Sequence, residues 1–247
     1  ALEVKEAWMS RAVQPLEVQH IFAFTADDDL SMTWCCHGEW SVQERGTHKI
    51  TAVMNWNAAA TRAHGEILIV IADDLFPPPA WDGRLNKTVR NLDPLKVPFA
   101  LKWHDHAEDT SPLMRHPVLS RKYYERNGLF DPRFEGIAAD DDFTYRAHHN
   151  GIVLDGRHIV LEHAHPSLGE TASVSHEIML GSDSADFGRT VFSSKWKPYQ
   201  LRVWIRYFHP RRHQRRVSMM RIIVRQFVAR LRYSFYLKTL LPHSSRN

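Results

Sequence analysis

Gly65-Glu66-Ile67-Leu68-Ile69-Val70-Ile71-Ala72-Asp73-Asp74 is the stretch from which the rest of the chain can be read. A short apolar run such as Ile67 to Ile71 predicts a strand buried on both faces. It stops at two adjacent carboxylates, and Pro77, Pro78 and Pro79 forbid its continuation. In parallel α/β sheets, ligands bind beyond the carboxyl ends of the strands. Two acids at such an end need a cation or hydrogen-bond donors to offset their repulsion. The pattern points to a divalent metal carrying a phosphate-bearing substrate.

Upstream, Thr51 to His64 is Ala-rich and reads as a helix, with Gly65 as its C-cap. Before it, Val18 to Ala26 is a strand rich in β-branched and aromatic residues, ending in Asp27-Asp28-Asp29. Strand, acids, helix, strand and acids in that order predict βαβ units and a mostly parallel sheet flanked by helices, an α/β fold. Residues 1–14 read as a helix stopped by Pro15.

Downstream, Trp81 to Asn91 reads as a helix and Val97 to Trp103 as a strand leading into His104-Asp105-His106. Pro117 to Arg121 is expected to open a helix that closes at Gly128. Asp140-Asp141-Asp142 heads a further helix, Phe143 to Asn150, where acids in a first turn suit the macrodipole. Ile152 to Leu154 and His158 to Glu162 read as strands, the second followed by His163 and His165.

The 247 residues, 43% hydrophobic and 24% charged, fit one domain with an appendage and exclude a disordered chain. The two cysteines, Cys35 and Cys36, form no disulfide framework, which points to a reducing compartment. No signal peptide and no apolar run of about 18 residues is present, so a cytoplasmic protein without a spanning helix is expected. The chain opens on Ala1 without Met, so an upstream segment is expected to have been removed.

Residues 187–247 hold 15 Lys and Arg and no Asp or Glu, leaving residues 1–186 with 17 basic and 28 acidic side chains. Within this basic segment, Val217 to Leu241 reads as an amphipathic helix with Arg221, Arg225 and Arg232 near one face. An anionic membrane surface contacted through residues 217–241, or packing on the acidic body, accounts for such a helix. Nucleic acid is not expected, because no aromatic-interleaved basic motif accompanies the charge. The domains expected are a catalytic body, 1–193, and a basic helical extension, 194–247.

Four clusters fall at predicted element ends: Asp27-Asp28-Asp29, Asp73-Asp74, Asp140-Asp141-Asp142 and His163 with His165. Carboxylates with one or two imidazoles suit Mg²⁺ or Mn²⁺. His163 and His165 alternate, so both point to one face of an extended strand.

These residues resemble the GT-A glycosyltransferases, family 2 in particular, from Ala1 to about Arg189. The resemblance is carried by Asn57-Ala58-Ala59-Ala60-Thr61-Arg62-Ala63-His64-Gly65 and by Ile69 to Asp74 with the prolines and Trp81. It continues in Gly128-Leu129-Phe130-Asp131, followed by Asp140 to Arg146 and Gly151. It implies that Asp27, Asp28 or Asp29 holds the nucleotide base, and that Arg62 approaches the uracil or phosphates. It also implies Asp73 for the ribose, Asp74 for the metal with His163 or His165, and Asp140 as catalytic base. The chain departs from the family at Ala72 and Ala139, which replace an Asp and a Glu. It also lacks the family's opening strand with its Pro-Thr-Tyr-Asn-like loop.

The reaction the resemblance implies is transfer of a hexosyl group from a nucleotide-diphosphate sugar, a UDP-sugar first, to a hydroxyl of a carbohydrate or lipid-linked acceptor, with inversion. A metal-dependent nuclease or phosphatase would use the same carboxylates, and an inactive nucleotide-sugar-binding protein would retain part of the site. His104-Asp105-His106 is expected to be a solvated loop, or else to line the acceptor site. Trp34, Trp40, Trp81 and Trp103 are candidates to stack on sugar rings, with Trp81 expected in the core.

Overall fold

Alternation along three strands builds two cores, one on each side of a sheet. In β5 (Phe99–His104), Phe99, Leu101 and Trp103 face one layer and Ala100 the other. In β6 (Val118–Ser120), Val118 and Leu119 divide the same way, as do Ile67 with Ile69 and Leu68 in β3 (Ile67–Ile69). Side chains two residues apart share a face, so each strand feeds both layers. The computed structural model describes residues 2–25, 39–43, 51–164 and 182–196.

One layer is supplied by α1 (Leu2–Ser10) and α3 (Trp81–Val89). Trp8 and Trp81 meet edge to face at 4.8 Å. The Trp8 indole donates to the carbonyl of Leu75 and the Trp81 indole to that of Trp8. Trp81 and Trp103 are thus core residues, the buried polar edge of Trp81 satisfied as such edges generally are. Asp82 fixes the exit of α1 by accepting from the backbone N–H groups of Val13 and Gln14.

The other layer contains α2 (Ala52–Arg62), α4 (Arg121–Asn127), α5 (Ala139–Asn150) and α6 (Ser182–Lys195). Thr51 caps α2 by accepting from the N–H of Met54. Asn57, inside the Asn57–Gly65 stretch of the resemblance, exchanges two hydrogen bonds with the backbone of Phe130. It therefore ties α2 to the turn before α5.

The four-stranded sheet runs β3-β6-β5-β7, where β7 is Ile152–Val160. It is mixed: β6 is antiparallel to both β3 and β5, and β5 pairs with β7 in parallel. The expected mostly parallel sheet is corrected here, because residues 105–117 return the chain between β3 and β5 in the opposite direction. The expected helix opens at Arg121 rather than at Pro117, since Val118–Ser120 is a strand, and it closes at Gly128 as expected. Ser120 ends the strand by capping α4, accepting from the N–H of Tyr123.

A separate parallel pair joins β1 (Ile21–Thr25) to β2 (Glu39–Gln43). A two-residue antiparallel ladder joins β4 (Leu75–Phe76) to β8 (Glu162–His163). The two strands expected across 152–162 are one continuous strand followed by this short ladder. Among the described residues no helix is long and apolar enough to cross a membrane.

Candidate active site on the rim of the sheet

The topology gathers one rim. β3 and β5 end where β6 begins, because β6 is antiparallel to both, and Val70 donates to the Pro117 carbonyl at that point. Helix α5 precedes β7, which is parallel to β5, so the N-terminus of α5 lies at the same end. Asp73 and Asp74, Asp105, and Asp140 therefore share a rim, the side of an α/β sheet on which ligands bind.

Asp74 and His163 are placed by the β4–β8 ladder, in which Leu75 pairs with His163 and Ala164 donates to the carbonyl of Asp74 at 2.9 Å. Nε2 of His163 then lies 3.3 Å from Oδ2 of Asp74. The other carboxylate oxygen of Asp74, Oδ1, is buried with no hydrogen-bond partner among the described residues. Burial pushes the Asp74 carboxyl up, but the hydrogen bond and charge of His163, with the charge of His116, outweigh it and hold it below the usual range. Asp73, in the same turn, is exposed.

A second imidazole stands beside the first. The rings of His116 and His163 meet edge to face at 5.6 Å, and Nδ1 of His116 is 3.4 Å from Oδ1 of Asp105. Asp105 is 1% exposed, so the expected solvated loop at 104–106 is corrected. Burial raises its carboxyl, but His116, Lys102 and Arg115 together hold it well below the usual carboxylate range.

The three acids of α5 have three different surroundings. Asp142 is fully buried and saturated: Oδ2 accepts from Nε of Arg146 at 2.8 Å and Nζ of Lys195 at 2.9 Å, and Oδ1 from the indole of Trp196 at 2.9 Å. Asp140 keeps part of its surface exposed. Burial of its carboxyl, with the charge of Asp141 beside it, pushes it up to about 6, against the charge of Arg115. Asp141, next to it, is half-buried.

Helix α6 holds this turn down. Gly188 packs so closely on the carbonyl of Ile137 that a β-carbon there would collide with the backbone. The next residue, Ala138, has a left-handed φ of 68°, and α5 starts immediately after it. Lys195 adds a bond to Asp131 at 2.6 Å, and its contacts on the body run on through Trp196.

Arg62 is exposed at the far end of α2, at the opening of β3 rather than its close. Its neighbourhood is the Gln19 side chain, which bonds the carbonyl of Arg62 and the N–H of His64. The structure thus does not bring Arg62 to the rim of Asp74. Asp27, Asp28, Asp29, His165, Trp34, Cys35, Cys36 and residues 217–241 lie outside the described residues, as does the side chain of Trp40. Among the described residues no three of His, Cys, Asp and Glu stand together as a metal-binding group.

Arg115 and His116 were not singled out by sequence reasoning. The available signal was Asp105: a carboxylate directly after a buried strand requires a partner if it is itself buried.

No protein-family model matches the sequence, and no curated protein matches it. Among solved structures, the chain is similar to Staphylococcus aureus TarS residues 1–349 in complex with UDP, with a TM-score of 0.43 and 14% identity over 82% of this chain and 75% of that one. It is also similar to a longer S. aureus TarS structure, with a TM-score of 0.42 and 14% identity, spanning 46% of that chain. Both likenesses are too distant to decide the function.

Proposed function

We propose that the chain is a metal-dependent glycosyltransferase that moves a hexosyl group from a nucleotide-diphosphate sugar, a UDP-sugar first, to an acceptor hydroxyl with inversion. The observation that carries the reading is the pairing, on one rim, of an Asp74 carboxylate with an unsatisfied buried oxygen and an Asp140 carboxyl raised to about 6. An orphaned anionic oxygen beside an imidazole fits a hard divalent cation, Mn²⁺ or Mg²⁺. Asp74 and His163 are the described residues that would hold it, with His165 as the further histidine of the resemblance. When bound, such a cation neutralises the diphosphate leaving group.

The remaining steps belong to the protein. Asp140 accepts the proton of the acceptor hydroxyl as that oxygen attacks the anomeric carbon, and the carbon–oxygen bond to the diphosphate breaks on the opposite face. A carboxyl near 6 is mostly ionised at neutral pH and is a stronger base than an ordinary aspartate. Asp73, exposed at the turn, is assigned to the ribose, and Asp27, Asp28 or Asp29 to the base. Arg62 has no role in this reading. A lipid-linked acceptor is the partner that best suits a basic amphipathic segment at 217–241.

The test is a panel of nucleotide-sugars with Mn²⁺ and product analysis. Sugar transfer, or slow release of free sugar, is expected. Cleavage within the phosphate chain would favour the nuclease or phosphatase reading instead, and binding without turnover would favour the inactive binding protein.

A further inference from the structure

Leu113 to His116 lies between the two halves of the rim and touches both. Leu113 and Met114 are buried in the core beneath α2 and α5. The Met114 N–H donates to Oγ1 of Thr144 at 2.8 Å, and the Thr144 hydroxyl donates to the carbonyl of Asp140 at 2.6 Å. Thr144 is fully buried, so this relay fastens the segment to the turn that presents Asp140. At the other end, His116 stands against His163, the partner of Asp74.

Arg115 sits between these two attachments. Its Nη1 donates to Asp105 at 3.0 Å and lies 3.5 Å from Asp109, and both carboxylates are 1% exposed. Both contacts run through the same nitrogen, so neither uses the rest of the guanidinium. The Arg115 side chain is 38% exposed. Lys102 pairs with Asp109 in the same cluster, so Lys102 and Arg115 together balance the two buried acids. An arginine suits this place, because its planar fork can be held at one nitrogen while the charge remains spread over the others.

We propose that Arg115 is a positioning residue of the transfer site. Anchored on Asp105 and Asp109, it keeps a guanidinium against the Asp140 turn as the counter-charge of the base. The proposal rests on the reading of Asp140 as that base.

The charges around Asp140 support the assignment. Its own helix supplies the charge of Asp141, which disfavours ionisation, and the segment before β6 supplies the charge of Arg115, which favours it. The attraction is reciprocal, since Asp140 is among the acids that raise Arg115. The other cations of this region are committed elsewhere: Arg146 and Lys195 to Asp142, and Arg133 to Asp131.

The experiment is a ¹³C-carboxyl NMR titration of Asp140 in aspartate-labelled protein, with the signal assigned by its loss in Asp140→Asn. Wild type should titrate near about 6. Arg115→Gln keeps a donor for Asp105 but no charge, and should raise the midpoint by about half a unit to one unit. Arg115→Lys should stay close to wild type. If Arg115→Gln does not fold, Arg115→Met removes the same single charge, and the same rise is expected.

An unchanged midpoint in a folded variant without the Arg115 charge overturns the inference, even if the protein transfers sugar. A raised midpoint in a protein that transfers no sugar keeps the electrostatic coupling and removes the functional reading beneath it.

Discussion

Asp142 and Asp74 stand on the same rim, and each has a buried carboxylate oxygen, yet their surroundings are opposite. Asp142 is saturated by donors from Arg146, Lys195 and Trp196. Asp74 has one oxygen 3.3 Å from His163 and the other without a partner. An unsatisfied buried acceptor costs about 1–3 kcal/mol, more when charged, and of the four buried side-chain atoms left without a partner among the described residues only that of Asp74 is a carboxylate oxygen. The saturated carboxylate belongs to the architecture of α5 and α6. The unsatisfied one, on the same rim as Asp140, is the one proposed to hold a cation.

The largest effect that separates the two regions is on turnover. Asp140→Asn should lower the rate of transfer about 10²–10⁴-fold, the contribution of a general base. It should leave thermal stability at neutral pH unchanged or slightly raised. The sign follows from Asp140 having its folded pKa raised, so its ionised form opposes folding above the ordinary carboxylate range, and the amide removes that cost. A marked loss of melting temperature would place Asp140 with Asp142 instead.

Asp142→Ala should do the reverse. It strips a fully buried acceptor from Arg146, Lys195 and Trp196, and about 3–5 kcal/mol of stability should be lost in denaturant unfolding. A loss under about 1 kcal/mol, typical of an exposed pair, would mean that α6 does not hold the turn.

A pH profile sharpens the contrast further. Transfer should fall about tenfold per unit as pH drops below about 6, because Asp140 takes up a proton there. His163 holds a cation only as a neutral imidazole, so cation binding should weaken as pH falls too, and Asp140→Asn should leave that weakening unchanged. A different pH dependence of cation binding in Asp140→Asn would contradict separate roles. The smallest effect is expected at Thr144→Val, which leaves the Met114 N–H without its acceptor. It should cost about 1–3 kcal/mol, read from the denaturation midpoint at constant slope.

Much of the scaffold is legible in the chain because local rules and tertiary packing agree. The helix at 52–62 has its Thr51 cap, and the strand at Ile67 is apolar on both faces because, even at the edge of the four-stranded sheet, it lies between the two cores. Val118-Leu119-Ser120 was misread because three residues carry no period. Its pairing with β3 and β5, fixed far away in sequence, makes it a strand. The mixed sheet has the same origin, since strand direction is set by where the 105–117 connection returns.

At the site, adjacent acids after an apolar run announced Asp74, and its approach to His163 depends on a two-residue ladder. The Asp triplet could not be divided among its roles, because the partners that distinguish Asp142 from Asp140 arrive from residues 195, 196 and 115. Arg115 and His116 were hidden for the same reason: their meaning comes from Asp105, and only the fold buries it.

The most direct test is calorimetric titration of UDP into the protein with and without Mn²⁺, for wild type and for Asp74→Asn with its fold verified by melting. Mn²⁺ should strengthen UDP binding to wild type by at least about tenfold, and Asp74→Asn should abolish the difference. That tenfold corresponds to about 1.4 kcal/mol, a modest demand on a cation that Asp74 would hold. Equal UDP affinity with and without Mn²⁺ in wild type, or an undiminished Mn²⁺ effect in Asp74→Asn, would contradict the assignment of the open carboxylate as the metal ligand.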